Sequence, residues 1–290
     1  MRPVNGAASL WLASLPRVAA PADDRTARAI AAAVAVASAE GLRVGEPRVV
    51  GAGSNRIVWL WPAPIVARVM TGTVVLHADP RAWLAREIDV GAFLAGAGAP
   101  IVAPASAVDP GPHLRDGLWL SLWEHAEVVP ADVPGGEAGR SLRALHDALA
   151  RYPGALPPRS AVLAEIDWLL AALAADDGIA ALREKRDRLA PRLAQADAEG
   201  QPLHGDASLS NLLSTTAGPR WNDLEDVCLG SPAWDVVGLV DDARASHGEA
   251  FAADLQAAYG RDFDPALTRL VRDADALYGT LWRRYRAARR

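Results

Sequence analysis

The hydrophobic pattern changes period along this chain. Asp24 to Ala39 is an alanine-rich run without breakers, which predicts a helix stopped by Gly41. From Arg48 to Trp61, short apolar runs flank Gly51-Ala-Gly53-Ser54-Asn55, which reads as strand, glycine turn, strand. Pro62 to Pro64 make the next turn, and Ile65 to Met70 a third strand. Between Arg81 and Ala95 the period becomes helical: Trp83, Glu87, Val90 and Leu94 fall on one stripe. Ile101 to Ala107 and Leu118 to Trp123 are again strand-like and would complete a five-stranded antiparallel sheet. Beyond Glu137 the pattern is mostly helical, with Leu142, Leu145 and Leu149 at i, i+3 and i+7. Further helices are expected at Ala161–Ala175, Gly178–Ala198, Glu249–Tyr259 and Pro265–Arg286. The result is an α+β chain: a sheet-rich part over residues 1–125 and a mainly helical part over 126–290. Met1 to Leu15 reads as an extension that packs on the body.

The stretch from His204 to Asp235 interrupts this regularity. It reads His204-Gly205-Asp206-Ala-Ser-Leu-Ser-Asn211, and later Asp223-Leu-Glu225-Asp226, then Gly230-Ser-Pro232-Ala-Trp234-Asp235. Leu212-Leu213 and Val236-Val237 bracket the polar pieces. A loop ending in a short strand, then a strand, an acidic turn and a helix start would bring Asp206, Asn211 and Asp223 to the mouth of a hairpin. Phosphoryl transfer uses this residue set. One carboxylate orients the attacking hydroxyl and takes its proton; an amide oxygen and a second carboxylate hold magnesium on the nucleotide phosphates. An acidic loop at a sheet edge is the plain alternative, but three elements in this order argue against it.

Composition narrows the partners. With 290 residues and 51% hydrophobic content, one two-lobed domain or two small ones can be built. A net charge of −5 disfavours nucleic acid and suits a cationic or neutral small molecule. Cys228 is the single cysteine, so no intrachain disulfide can form, and it reads as a packed small residue. No apolar run approaches the ~20 residues that span a bilayer, and no clean signal segment is present, which implies a cytoplasmic protein. The Gly51–Asn55 turn can fold over phosphates with its backbone N–H groups, although a plain hairpin turn has the same look. It is no dinucleotide fingerprint, and no P-loop exists, since Lys185 is the one lysine and lies in a charged helix. Glu87 on an apolar stripe needs a cation, and Arg68 on the third strand is the candidate.

The His-Gly-Asp-x4-Asn stretch, the later Asp223 and the Gly-x-Pro-x-x-Asp that follows resemble the aminoglycoside phosphotransferase family more than the protein kinases. The Leu145-His146 pair and the order strand-Arg68, helix-Glu87 extend the resemblance from about Arg48 to the last helices. It implies a protein-kinase-like two-lobed fold, with the five-stranded lobe followed by a helical catalytic and acceptor-binding lobe. Carried over residue by residue, it implies Asp206 as catalytic base and Asn211 and Asp223 as magnesium ligands. Gly51, Gly53, Ser54 and Asn55 would cover the phosphates of ATP (or GTP). Arg68 stands where protein kinases place lysine, with Glu87 as its partner, and Glu124 and Ala126 would meet the purine through backbone groups. His204, His146 and Asp235 would brace the loop; Glu225 and Asp226 are either metal-side acids or turn residues. The activity implied is transfer of a γ-phosphoryl group to the hydroxyl of an aminoglycoside, amino sugar or similar metabolite. Arginine in place of lysine keeps a second reading open, a catalytically impaired pseudokinase. A metal-dependent hydrolase on His204, Asp206 and Asp223 lacks further histidine ligands.

Overall fold

The computed structural model describes residues 24–72, 79–198 and 200–288. The expected packing of Met1–Leu15 and the last two arginines of the basic tail lie outside these residues. By contacts the chain forms two units, Met1–Val133 with Leu212–Glu225, and Pro134–Asn211 with Asp226–Arg290. A single division after His125, as read from the sequence, differs from this in position and omits the return of 212–225 to the first unit.

In the first unit, helix α1 (Asp24–Ala39) buries Ala29, Ala32, Ala33, Val36 and Ala37. Small side chains there let it lie close on a five-stranded antiparallel sheet. The strands are β1 (Arg48–Ala52), β2 (Arg56–Trp59), β3 (Ile65–Val69), β4 (His113–Arg115) and β5 (Leu118–Glu124), in the order β1-β2-β3-β5-β4. Every residue of β3 is buried, so both faces of this central strand are covered. Ile65, Ala67 and Val69 join Val58, Leu60, Leu120 and Leu122 against α1. By the two-residue alternation of a strand, Val66 and Arg68 point to the other face. Helix α2 (Pro80–Gly96) serves that face. It starts on an Asp79 cap, whose carboxylate accepts from the Ala82 N–H at 3.0 Å, with Pro80 in the first turn. Gly91 lets it settle close: a Cβ there would stand 2.9 Å from Pro104 Cγ and 3.2 Å from the Trp123 ring.

The fifth strand is not the segment its apolar run suggested. Ile101–Ala107 makes only isolated bridges, Ile101 with Trp221 and Pro104 with Trp123. Pro100 and Pro104 have no N–H to give. Val102 N–H goes to Trp221 O and Ala105 N–H to Leu122 O, so donors diverge to different neighbours and no ladder propagates. The edge is taken instead by β4, joined to β5 through Asp116 and Gly117 at φ 50° and 77°. Asp-Gly with both residues at positive φ is the turn that matches strand twist. Also in this unit is the hairpin of β7 (Leu212–Thr215) and β8 (Gly218–Trp221).

The second unit is helical around one small sheet. Strands β6 (Gln201–Leu203) and β9 (Cys228–Gly230) pair antiparallel. Around them stand α3 (Gly135–Leu149), α4 (Val162–Ala172), α5 (Ile179–Asp197), α6 (Ala233–His247), α7 (Glu249–Tyr259) and α8 (Pro265–Ala287). Ile166, Leu169, Leu193, Leu203, Trp234, Val271 and Leu277 bring α4, α5, α6 and α8 onto β6 in one core. No helix among the described residues is long and apolar enough to cross a membrane.

Candidate active site

Immediately after β6 the chain makes the turn His204-Gly205-Asp206. Gly205 sits at φ 88°, and a Cβ there would run into the Asp226 carbonyl oxygen. No larger residue fits without moving the backbone. The turn is pinned by Asp235 in the first turn of α6. Its carboxylate accepts from His204 N–H at 2.8 Å, from Gly205 N–H at 3.0 Å and from His146 Nε2 at 2.8 Å. The other ring nitrogen of His146 lies 2.9 Å from the Tyr259 hydroxyl. Burial pushes the Tyr259 phenol up to about 12, so it keeps its proton. The Asp235 carboxylate can only accept, so Nε2 of His146 carries a proton and donates to it. Burial opposes the charge on Asp235, but His146, His204 and the backbone donor outweigh it and hold its carboxyl below the ordinary range.

Above this buried chain stands Asp206, which is exposed. Its N–H donates to His204 Nδ1 at 3.3 Å, and His204 is wholly buried. Asn211 Nδ2 donates to the Asp206 carbonyl at 2.9 Å and to its Oδ2 at 3.0 Å. Leu209 N–H is tied to Asp242 Oδ2 at 2.8 Å. Asp206 and Asn211 are thus brought together, on a turn whose His204 and Gly205 N–H groups are held by Asp235.

In the first unit a second cluster forms around Arg68. Its Nη1 reaches Glu87 Oε2 at 3.0 Å. Its Nη2 lies 2.8 Å from Asp223 Oδ1 and 2.5 Å from Glu225 Oε2. Glu87 is 1% exposed, and its pairing with Arg68 matches the sequence reading. Arg86 stacks over Trp83 at 4.2 Å and donates to the Glu225 carbonyl at 3.1 Å. Burial opposes the charge of Arg68, but Asp223, Glu225 and Glu87 together raise its pKa well above the ordinary value. Glu87 is pushed up to about 8, by burial first and by Glu225 and Asp223 after it, against the pull of Arg68. Asp223 and Glu225 give this cluster hard carboxylate oxygens of the kind that suit a divalent cation. Asp223 itself sits at φ 62°, a left-handed backbone that few non-glycine residues adopt and that is found at functional loops.

Gly51 lies in β1 opposite Ile57, after a register shift between Val49 and Gly51, and Gly53, Ser54 and Asn55 form the β1–β2 turn. Space around Gly53 is open. Asn55 is buried, and its Oδ1 accepts from Thr71 N–H at 3.2 Å, so its side chain ties the turn to the end of β3. At the end of β5, Glu124 N–H donates to Ala103 O and His125 N–H to Pro64 O. Glu124 Oε1 takes both Ser106 N–H and its hydroxyl, at 2.9 and 2.8 Å. His125 is stacked on Trp59 with ring centroids 4.1 Å apart. Glu124 therefore has its carbonyl, not its N–H, to offer a base. Sequence reasoning missed Tyr259 and Asp242. Each acts from a helix far along the chain, and nothing local marks either.

The sequence profile of the phosphotransferase enzyme family matches residues 49–271. No curated protein matches the chain in sequence. Among solved structures, a choline/ethanolamine kinase family protein from Mesorhizobium loti is 20% identical with a TM-score of 0.62, covering 91% of this chain and 87% of that one. The aminoglycoside phosphotransferase APH(3'')-Id from Streptomyces rimosus is also 20% identical at 0.62, covering 86% and 98%. Choline kinase LicA from Streptococcus pneumoniae is 13% identical at 0.66, covering 89% and 91%. These structures share the fold with this chain. With the profile spanning the sheet, the His204–Asp235 stretch and α6, the chain belongs to the phosphotransferase enzyme family.

Proposed function

We propose that this protein transfers the γ-phosphoryl group of ATP (or GTP) to a hydroxyl of a small molecule, with Asp206 as base. One observation carries the reading: Asp206 is an exposed carboxylate on a turn held by the buried Tyr259–His146–Asp235 chain. A base must be reachable yet fixed, because misplacement by an ångström removes much of the gain from positioning. Asp206 orients the acceptor hydroxyl and accepts its proton as the new O–P bond forms, the bridging P–O bond breaks and the nucleoside diphosphate leaves. Asn211 and Asp223 would hold magnesium, which when bound neutralises phosphate charge. Arg68 would reach a phosphate by exchanging one of its carboxylate partners for a phosphate oxygen, so the guanidinium stays paired throughout. Neighbours of the same fold support a nucleotide and a divalent cation here: the S. rimosus enzyme in complex with ADP and streptomycin, and an amicoumacin kinase with AMP-PNP and Ca2+. The acceptor would be an aminoglycoside, amino sugar, amino alcohol or related metabolite.

The complete engagement of Arg68 by Glu87, Asp223 and Glu225 favours one competing reading, a ligand-binding protein without turnover. An assay of nucleoside diphosphate release against a panel of hydroxyl acceptors separates the two. Asp206→Ala should abolish acceptor-dependent release, with nucleotide affinity in calorimetry unchanged. Normal turnover by that variant would reject Asp206 as base. Magnesium-dependent nucleotide binding without turnover on any acceptor would favour the second reading.

A further inference from the structure

In the first unit, three side chains able to ligate a metal converge at a place the phosphoryl-transfer chemistry does not use. Glu40 directly follows α1, Asp109 lies in the loop before β4, and His113 opens β4. One donor atom from each lies within 4.8 Å of the others. Glu40 and His113 are half-buried and Asp109 is exposed. The backbone under each is fixed. Glu40 N–H donates to Val36 O at 3.0 Å and Leu42 N–H to Ala37 O at 2.9 Å, which closes α1. Leu42 and Val108, close to Glu40 and Asp109 in the chain, pack on the core between α1 and the sheet. His113 pairs with Leu120 in the β4–β5 ladder, and Pro110 O accepts from Leu122 N–H at 2.9 Å.

Two further observations point to a cation. His113 Nε2 lies 2.9 Å from the Asp109 carbonyl oxygen. A carbonyl only accepts, so Nε2 carries a proton and the neutral ring keeps its lone pair on Nδ1. Ligating histidines are held in this way, the second nitrogen donating to a carbonyl or carboxylate. The negative charge is also unanswered. Glu40 Oε2 accepts from Asp109 N–H at 3.3 Å, and Asp109 Oδ1 from Gly111 N–H at 3.0 Å. These bonds orient the carboxylates and leave Glu40 Oε1 and Asp109 Oδ2 without a hydrogen bond. Neither carboxylate has an ion-pair partner among the described residues. Helix α1 ends with no basic residue in its last turn, where the helix dipole favours positive charge.

We propose that Glu40, Asp109 and His113 bind a divalent transition-metal ion of the zinc type, in a site that ties the end of α1 to the start of β4. Two carboxylates and a neutral imidazole carry two negative charges, which a dication balances. One nitrogen and two oxygens form a donor set that zinc accepts, with water completing the tetrahedron on the exposed side. The imidazole favours such an ion over magnesium, which suits oxygen ligands. The site therefore differs in chemistry from Asn211 and Asp223. Helix α1 covers the sheet face opposite Arg68, so the ion fastens the helix to the sheet and takes no part in phosphoryl transfer.

Calorimetric titration of the metal-stripped full chain with Zn2+ tests the proposal. The wild type should bind Zn2+ here at micromolar concentration or below. Glu40→Gln and Asp109→Asn keep the acceptors for the Asp109 and Gly111 N–H groups and remove one charge each. Each of them, and His113→Ala, should weaken binding by at least the roughly tenfold that loss of an outer hydrogen bond costs a metal site. Asp223→Asn, in the separate cluster around Arg68, should leave the affinity unchanged, and so should excess Mg2+. Co2+ used in place of Zn2+ reports ligation directly: its visible absorption should change on binding to the wild type and not with His113→Ala. Zn2+ should raise the thermal midpoint of the wild type and leave that of Glu40→Gln in place. No Zn2+ binding below millimolar concentration would overturn the proposal. Binding that the three variants retain in full, an adventitious ion only, would overturn it too, as would binding lost equally in Asp223→Asn.

Discussion

Asp235→Asn isolates the buried network under the Asp206 turn. Three donors converge on the carboxylate: His204 N–H and His146 Nε2–H on Oδ2, and Gly205 N–H on Oδ1. Asparagine brings one oxygen and one NH2. With its oxygen at the Oδ2 site, the NH2 faces Gly205 N–H donor to donor. With the amide reversed, His146 can change tautomer and accept, but His204 N–H then has no acceptor. Either way one backbone N–H is stranded, at about 1–3 kcal/mol. The bonds that survive are neutral, where charge-assisted ones had contributed about 1.5–3 kcal/mol each against about 1 for neutral pairs. The sum is a loss on the order of 3 kcal/mol. Urea unfolding followed by tryptophan fluorescence measures the total, and hydrogen exchange at the His204 and Gly205 amides shows where it acts. Turnover should fall as well, because the turn carrying Asp206 loses its anchor. A change below about 1 kcal/mol with unaltered exchange at both amides would refute the reasoning, since a stranded N–H alone costs that much.

The other predictions concern charge, backbone and thiol. Glu87, raised to about 8, favours the folded state in its protonated form. That contribution is present below the ordinary carboxylate pKa and lost as pH rises through about 8. Wild-type stability relative to Glu87→Gln should therefore fall between pH 5 and 9, by up to about 1.4 kcal/mol per pH unit; a flat difference in urea unfolding would contradict it. Gly205→Ala should destabilise the fold and suppress turnover, because it meets both the φ of 88° and the Asp226 carbonyl. The cost is at least about 1–2 kcal/mol from the left-handed backbone alone, read from the thermal midpoint. Cys228, buried and pushed up to about 12, should resist a thiol-reactive disulfide reagent in the native protein and react fully in urea; fast native labelling would place it elsewhere.

Some of this protein is written in local pattern. The bounds of α1 and α7 coincide with their apolar runs and glycine stops, and β2, β3 and α2 fall within a residue or two of expectation. Those elements follow from periods of two and 3.6, which neighbouring residues alone set. The Asp206–Asn211 spacing is legible for the same reason: both groups lie on one short turn, and Asn211 bonds Asp206 five residues back. The fifth strand went the other way, because Ile101–Ala107 has an apolar composition but prolines where donors were needed. Its replacement, the Asp116-Gly117 hairpin, was readable as a turn signal that the weak apolar content of His113–Arg115 concealed. What tertiary structure alone decided is convergence. Tyr259, His146 and Asp235 meet although 113 and 89 residues separate the two bonded pairs. Arg68 gathers Glu87, Asp223 and Glu225 from a helix and a distant acidic turn. Periodicity states which face of an element is buried. It carries no information on which distant element covers that face, and the burial that forces charges to pair is a property of the packed chain.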